Sequence, residues 1–517
     1  MMESPVDPDS ATPYDRVEYI GGTFPQTHPV RLATVAALFG LTSPPPARCR
    51  VLELGCGDGS NLIPMAFHLP GSEFVGVDLA HLPIAAGQQR LRRLNLHNIR
   101  LLQGDVSVAC EQLGQFDYVI AHGLYSWVPD AVRPQILRVA AERLTECGVA
   151  YISYNALPGC RIRHLVRELV GFRFGAGTSD PAQVKQVREF LQAFARIENK
   201  SDGHFLEVLK REFEFVQEIP DYVLYHDDLA VDSKAFYLHE FAAAAQTWGL
   251  QYLGEADISE MFTMAGFAEF DAMLATWSNN DWLAREQYLD FTKGRRFRQT
   301  LLCGQAHRLS RELAAHRIGQ FELRSRLRVE HENPAIFDRS EVPFRGTKRG
   351  LKIDEPLAKT ALVRLGQIFP DTISFEDLLS DAIARCRAAG LTYSRAESGP
   401  ALANMLWALV RADFIELLRD PQHLAPPPES PPRVSRLAAD QVASGSKVTG
   451  ALHTNFVLED EFAAALVLAM DGSRDRGALL RWVGERSGAE PAVAAKRLDD
   501  LIEFLGRQGA LAVEATD

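Results

Sequence analysis

The sequence predicts an α/β protein with an open, mainly parallel sheet, and three observations predict it. Short apolar strands alternate with amphipathic helices from Arg50 to Asn155. The connections between them are short, as in a parallel sheet covered by helices on both faces. A turn with three alternating glycines, Gly55, Gly57 and Gly59, follows the first strand directly.

The elements follow in order. After a polar leader comes "FPQTHPVRLATVAALFGL", in which Leu32, Val35, Ala36 and Phe39 share one helical face. "RVLEL" is a first strand, "EFVGVDL" a second ending at Asp78, and "IRLLQGDV" a third ending at Asp105. "FDYVIAHG" and "VAYISYN" are the fourth and fifth, separated by the amphipathic "AVRPQILRVAAERLTECG". Residues 161–219 read as a helical insertion. "FYLHEFAAAAQTWGLQYLGEADI" reads as helix, glycine stop and strand, and "RRFRQTLLCGQ" alternates like one more strand. These two strands are expected to finish the sheet. Beyond residue 310 the pattern suggests two small helical, winged-helix-like units joined by the Pro-rich "PQHLAPPPESPPRVS".

Bulk properties narrow the function. A chain of 517 residues calls for two or more domains. A net charge of -12 argues against general nucleic-acid or anionic-membrane binding, which would want a basic field. The seven cysteines are scattered and form no C-x-x-C pair, so buried thiols in a reducing cytoplasm are expected rather than zinc or disulfides. No apolar run reaches the roughly 18 residues of a membrane span, and the leader lacks a secretion signal. The reading is cytoplasmic, with no nucleic-acid partner and no membrane insertion.

The glycine turn points to a ligand. Glycines allow positive φ and close approach of a ligand to the backbone. In such a sheet a nucleotide lies outside the carboxyl ends of the strands. Asp78 can hold ribose hydroxyls there, and Asp105 can accept from an adenine amino group. A dinucleotide turn reads G-x-G-x-x-G, whereas here Ser60 takes the third glycine's place. Glu53 would also sit badly against a pyrophosphate but well against a cationic sulfonium and ammonium. The expected cofactor is S-adenosylmethionine.

These residues resemble class I S-adenosylmethionine-dependent methyltransferases. "FPQTHPVRLATVAALFG", "GSNLIPMAF", "LPGSEFVGVDL", "FDYVIAHGLYSWVP" and "VAYISYNALPG" are similar to bacterial members that carry a methyltransferase regulatory domain. "FYLHEFAAAAQTWGLQYLGEA" and "RRFRQTLLC" resemble that second region. The resemblance extends to bacterial protein-lysine methyltransferases and covers nearly the whole chain. It implies a Rossmann-like seven-stranded sheet with a helical insertion, S-adenosylmethionine as methyl donor, and a protein substrate with an acceptor lysine. One departure stands out. Family members acting on planar amide or base nitrogens usually carry N/D-P-P-Y/F after the fourth strand, where this chain has "AHGLYSWVP".

The expected layout is a cofactor-covering segment (1–49), the Rossmann-like core (50–160), the insertion (161–235) and the sheet completion in the regulatory region (236–310). A winged-helix-like middle domain (311–420), a linker (421–447) and a similar C-terminal domain (448–517) follow. Cofactor contacts are expected from Gln26, Glu53, Gly55, Cys56 and Gly57. Asp78, Leu79, Asp105, Val106 and His122 complete that set. Tyr125, Trp127, Tyr154 and Asn155, at the ends of the fourth and fifth strands, are expected to face the acceptor, as aromatic walls for an ammonium or as orienting groups. His226, Asp227, Asp228 and His239 superficially suggest a metal, but hydrated loop carboxylates and a helix histidine account for them, and no metal is expected. Two other functions compete: a small-molecule N- or O-methyltransferase, and a cofactor-binding regulator without turnover. A homodimer is compatible with the chain.

Overall fold

The computed structural model describes residues 12–175, 180–197, 204–263, 268–331, 334–425, 431–445 and 447–513. Most of the polar leader, two short stretches of the helical insertion and part of the Pro-rich connector lie outside them. The described residues form two compact units. The first gathers those of 1–21, 41–256 and 267–309, and the second those of 22–40, 257–266 and 310–517.

The first unit is built on one sheet. Its strands are β1 (Arg50–Leu54), β2 (Glu73–Asp78), β3 (Ile99–Gln103), β4 (Phe116–Ala121) and β5 (Leu144–Ala156), then β6 (Ala235–Phe236), β7 (Leu250–Glu255) and β8 (Phe297–Gly304). The order is β3-β2-β1-β4-β5-β8-β7, with the short β6 beside the end of β5. Strands β1 to β5 pair in parallel, and β8 runs antiparallel to both its neighbours. The two late strands therefore do complete the sheet, as their glycine stop and alternation predict. The chain steps outward from β1 to β3 and returns to β4 on the other side of β1. That reversal opens a crevice at the carboxyl ends of β1 and β4.

The central strands are apolar because both faces are covered. Leu52, Leu54, Val75, Val77, Val119 and Ile152 are all buried in one core. Burial of such side chains contributes about 1.5–3 kcal/mol each. The β7–β8 edge is held differently. Arg298, fully buried on β8, donates through Nε and Nη2 to the two carboxylate oxygens of Asp290 at 2.9 and 2.8 Å. It also donates to Glu255 on β7. This fork ties the Trp282–Lys293 helix to the sheet in a geometry only Arg supplies.

Between β5 and β6 lie the helices Arg161–Phe174, Gln183–Ala195 and His204–Glu218. They bury Val166, Val170, Val187, Leu191, Phe213 and Val216 in a core of their own. The insertion closes with a π-helical turn, Leu224–Asp228.

The second unit begins with residues 22–40, which corrects the single N-terminal segment expected over 1–49. The backbone of Thr23 exchanges hydrogen bonds with the Asn455 side chain at 3.2 and 3.0 Å. Arg317 donates to the Leu38 carbonyl that ends the Pro29–Leu38 helix, at 2.7 Å. Helices Pro356–Ile368, Phe375–Ala388 and Arg395–Arg411 accompany a small sheet of Ile373–Ser374, Glu322–Arg324 and Glu416–Leu418. Farther on, Arg436–Ala443, Glu461–Ala469, Arg476–Ser487 and Pro491–Gln508 share an apolar core. Among the described residues no helix is long and apolar enough to cross a membrane.

Candidate active site

The site starts where β1 ends. Gly55, Gly57 and Gly59 have φ of 74°, 56° and 76°, a region that L side chains rarely adopt. The N–H groups of Gly55 and Cys56 donate to the Val77 carbonyl at 2.8 and 3.2 Å, which holds the turn against β2. The three glycines serve different ends. A Cβ on Gly59 would lie 2.9 Å from Leu101, and one on Gly55 3.1 Å from Leu124. One on Gly57 would meet nothing within 4 Å. Gly57 thus exposes its backbone to open space, where a ligand would approach. Two further glycines make the turn possible. A Cβ on Gly87 would come within 2.3 Å of the Asp58 carbonyl, and one on Gly76 within 2.6 Å of Cys56 Sγ. The Cys56 side chain is therefore packed against the sheet, and only its backbone belongs to the turn.

Carboxylates surround this turn. Asp78 accepts from the Gly57 N–H through Oδ2 and from the Ala80 N–H through Oδ1, both at 2.8 Å. Burial raises its pKa, with Asp15 adding to the effect, while the backbone donors oppose it. Leu79 beside it is exposed, an apolar platform at the strand end. Asp105 caps the short Val106–Ala109 helix, accepting from the Ser107 N–H at 2.8 Å, and Val106 is buried behind it. Glu53 is buried. Its Oε1 accepts from Asn61 Nδ2 at 2.8 Å, while Oε2 is buried without a partner. Burial pushes this carboxyl up to about 8.

The N-terminal segment crosses the same region. Asp15 Oδ1 accepts from the Leu82 N–H at 2.9 Å, at the start of the His81–Leu94 helix. A Cβ on Gly21 would lie 2.8 Å from the Ser60 Cβ. Tyr14 stacks on His226 with ring centroids 4.4 Å apart. Desolvation pushes the Tyr14 hydroxyl up to about 12, with the carboxylates of Asp227 and Asp78 adding to it.

The residues expected to face the acceptor divide. Tyr125 and Tyr154 point into the core instead, Tyr154 by the pleat of β5 and Tyr125 from the turn after β4. Tyr154 stacks on Phe241 at 4.2 Å and its hydroxyl lies 3.2 Å from Thr300 Oγ1. Tyr125 packs on Phe236 and Phe241, each at 5.2 Å. Trp127 and Asn155 are half-buried at the strand ends. The Arg167 guanidinium lies 5.9 Å from the centre of the Trp127 ring, and the Asn155 N–H donates to Ser126 Oγ at 2.8 Å. His122 Nδ1 is 2.9 Å from Tyr151 Oη and 3.2 Å from Ser153 Oγ. Burial pushes its pKa down to about 4, so the ring is neutral at pH 7. Gln26, in the Pro25–Thr27 turn, belongs to the second unit, and the role expected for it rests on the sequence. His239 Nδ1 lies 3.1 Å from Gln287 Oε1, and its ring stacks on Tyr237.

Sequence reasoning missed Tyr14 and Tyr19, which the fold brings to His226, and Tyr222, which meets Tyr19. The aromatic spacing in "YDRVEY" and "DYVLYHDD" was the available signal.

The residues present fit S-adenosylmethionine. An orphan buried acceptor suits a cationic ligand end, and the space before Gly57 admits a ligand to the backbone. Comparison with known proteins agrees. A methyltransferase domain model matches residues 52–150, and a predicted methyltransferase regulatory domain matches residues 220–304. Protein RP789 of Rickettsia prowazekii is 31% identical over 481 residues, spanning 90% of this chain and 85% of its own. RP028 of the same organism is 33% identical over 233 residues, 45% of this chain and 93% of its own. The solved structure of PKMT2 from Rickettsia typhi, in complex with AdoHcy, superposes with a TM-score of 0.84 at 23% identity. That likeness covers 95% of this chain and 99% of PKMT2.

Fold and site together define a class I S-adenosylmethionine-dependent methyltransferase. The chain belongs to the family that joins this catalytic domain to a methyltransferase regulatory domain, the family of RP789.

Proposed function

We propose that this methyltransferase modifies a lysine ε-amine of a protein. The observation that carries the reading is the rim of the crevice. Among the described residues Tyr14, Tyr19 and Ile20, in the segment that reaches Ser60 at Gly21, and Leu79, beside Asp78, stay exposed, so an acceptor meets an apolar edge there. Such an edge suits a side chain presented by a polypeptide. The name of PKMT2 and the missing N/D-P-P-Y/F tetrad point the same way.

Bound S-adenosylmethionine would supply an electrophilic methyl on a sulfonium. The chain's own residues position and desolvate. Asp78 would receive the ribose hydroxyls, Leu79 and Asp105 the adenine, and Glu53 Oε2 the cationic end of the methionine moiety. Gly55 and Gly57 would let that end lie on the backbone, with Cys56 and Val106 serving as packing beneath. The neutral His122 ring would line the strand-four wall. Trp127 and Asn155 would border the acceptor's approach.

A labelled-methyl assay on a bacterial protein extract and on its small-metabolite fraction tests this reading. Label in the protein fraction supports it. Label confined to small metabolites would sink it.

A further inference from the structure

The π-helical turn at Leu224–Asp228 presents an aromatic and acidic cluster that the cofactor site does not use. Tyr14 and Tyr19 come from the N-terminal segment, and Tyr222, His226 and Asp227 from the end of the insertion. His226 is fixed by a 2.8 Å hydrogen bond from Nε2 to the Val17 carbonyl and by its stack on Tyr14. Tyr19 meets His226 and Tyr222 edge-on, with centroids 5.5 and 5.4 Å apart. Arg167 donates to the carbonyls of Asp227 and Ala230, pinning the turn's backbone. Asp228 is engaged by Arg163.

The Asp227 carboxylate is different. Among the described residues no hydrogen bond or ion pair at salt-bridge distance engages it. It is half-buried, and after desolvation it is the largest charged influence on both the Tyr14 and the Tyr19 hydroxyls. Tyr14 also feels Asp78. The Tyr14 phenol is thus under the influence of both the Asp78 and the Asp227 carboxylates. Arg167 links the same turn to Trp127 at the end of β4.

We infer that this cluster is the acceptor-amine site, with the rings of Tyr14, Tyr19 and Tyr222 enclosing the lysine stem and Asp227 taking the proton from its ammonium. The inference rests on the lysine reading above. Aromatic faces attract an ammonium, and a carboxylate with no hydrogen bond or salt bridge among the described residues completes the pair. The acceptor nitrogen gives one proton to Asp227. Its freed lone pair forms the N–CH3 bond as the S–CH3 bond breaks, and that bond's electrons stay on sulfur. The product is a methylammonium, and Asp227 returns its proton to water. Asp227 is suited to this by its surroundings. It faces Asp228 on its own turn, Arg163 and Arg167 from the first insertion helix, and Tyr14 and Tyr19 from the N-terminal segment. Burial and Asp228 raise its pKa to about 7, against the two arginines, which leaves it a base near neutral pH.

The test is calorimetry with two S-adenosylhomocysteine analogues that carry nitrogen in place of sulfur. One bears an aminobutyl chain on that nitrogen, the other a butyl chain. The wild-type protein is expected to bind the aminobutyl analogue about tenfold more tightly at pH 8, as a charge-assisted contact implies. Asp227→Asn should abolish that preference and leave the butyl analogue's affinity unchanged. Tyr19→Ala should reduce the preference several-fold. An Asp227→Asn protein that keeps both the preference and lysine methylation overturns this site while leaving the lysine reading intact. A wild-type protein that shows no preference and methylates only hydroxyl acceptors overturns the lysine reading, and this site with it.

Discussion

The N–H of Gly57 donates to Asp78 Oδ2 at 2.8 Å, so the glycine turn after β1 is latched to the end of β2 by a carboxylate. The second oxygen of Asp78 caps Ala80. Both oxygens are thus oriented by backbone donors before any ligand arrives. That is preorganisation: less ordering remains to be done on binding.

Asp78→Ala should remove the latch and the proposed ribose acceptor together. AdoHcy affinity measured by calorimetry should fall by about 1–3 kcal/mol, a roughly 5- to 150-fold loss. Unchanged affinity would contradict the assignment.

The glycines separate by what their missing Cβ atoms meet. Gly59→Ala forces a methyl against Leu101 at positive φ and should destabilise by roughly 1–3 kcal/mol in urea unfolding. Gly57→Ala meets no neighbour, so its stability loss should stay near the conformational cost of about 1 kcal/mol. Its larger effect should be on AdoHcy affinity, because the new methyl occupies the ligand's side. Equal behaviour of the two variants would refute the division.

Glu53 gives a pH signature. Burial raises its carboxyl from an ordinary 4.5 to about 8 in the folded chain. Between those values the folded state holds a proton that the unfolded state has released. Its contribution to stability is therefore full below 4.5 and is lost as pH rises toward 8, with a slope of up to about 1.4 kcal/mol per pH unit. Glu53→Gln should flatten that part of the stability profile. A cationic ligand beside Glu53 should also expel its proton. Binding heats of S-adenosylmethionine at pH 7 should then vary with buffer ionisation enthalpy in the wild type and not in Glu53→Gln. Buffer-independent heats in the wild type would argue against contact with the ligand's cationic end.

Tyr154→Phe should cost about 1 kcal/mol through the lost contact with Thr300 and leave methyl transfer within about twofold. A large loss of turnover at unchanged stability would return Tyr154 to the acceptor side.

Much of this architecture was legible in the chain. Strand alternation and the glycine stop before β7 reflect burial on two faces and the end of a helix, both local effects. The glycine offset and the aspartates at the strand ends were legible for the same reason: each sits at a fixed distance from a strand it terminates. Tyr154 was misread because a strand end offers side chains to both faces, and Tyr125 because the turn after β4 folds its ring into the core; the sequence specifies neither. Tyr14 and His226 lie more than two hundred residues apart, and only the folded insertion brings them together. The fate of residues 22–40 depends on Asn455 and Arg317, partners that no local pattern announces.

The most direct test of the central claim follows the labelled methyl to its atom. Protein extract is treated with the enzyme and isotopically labelled S-adenosylmethionine, digested, and read by mass spectrometry, with Asp78→Ala as control. The account predicts ε-N-methyl-lysine bearing the label in the wild-type sample and a strongly reduced signal in the control. Label found only on hydroxyl or carboxyl oxygens, or at equal levels in the control, would contradict it.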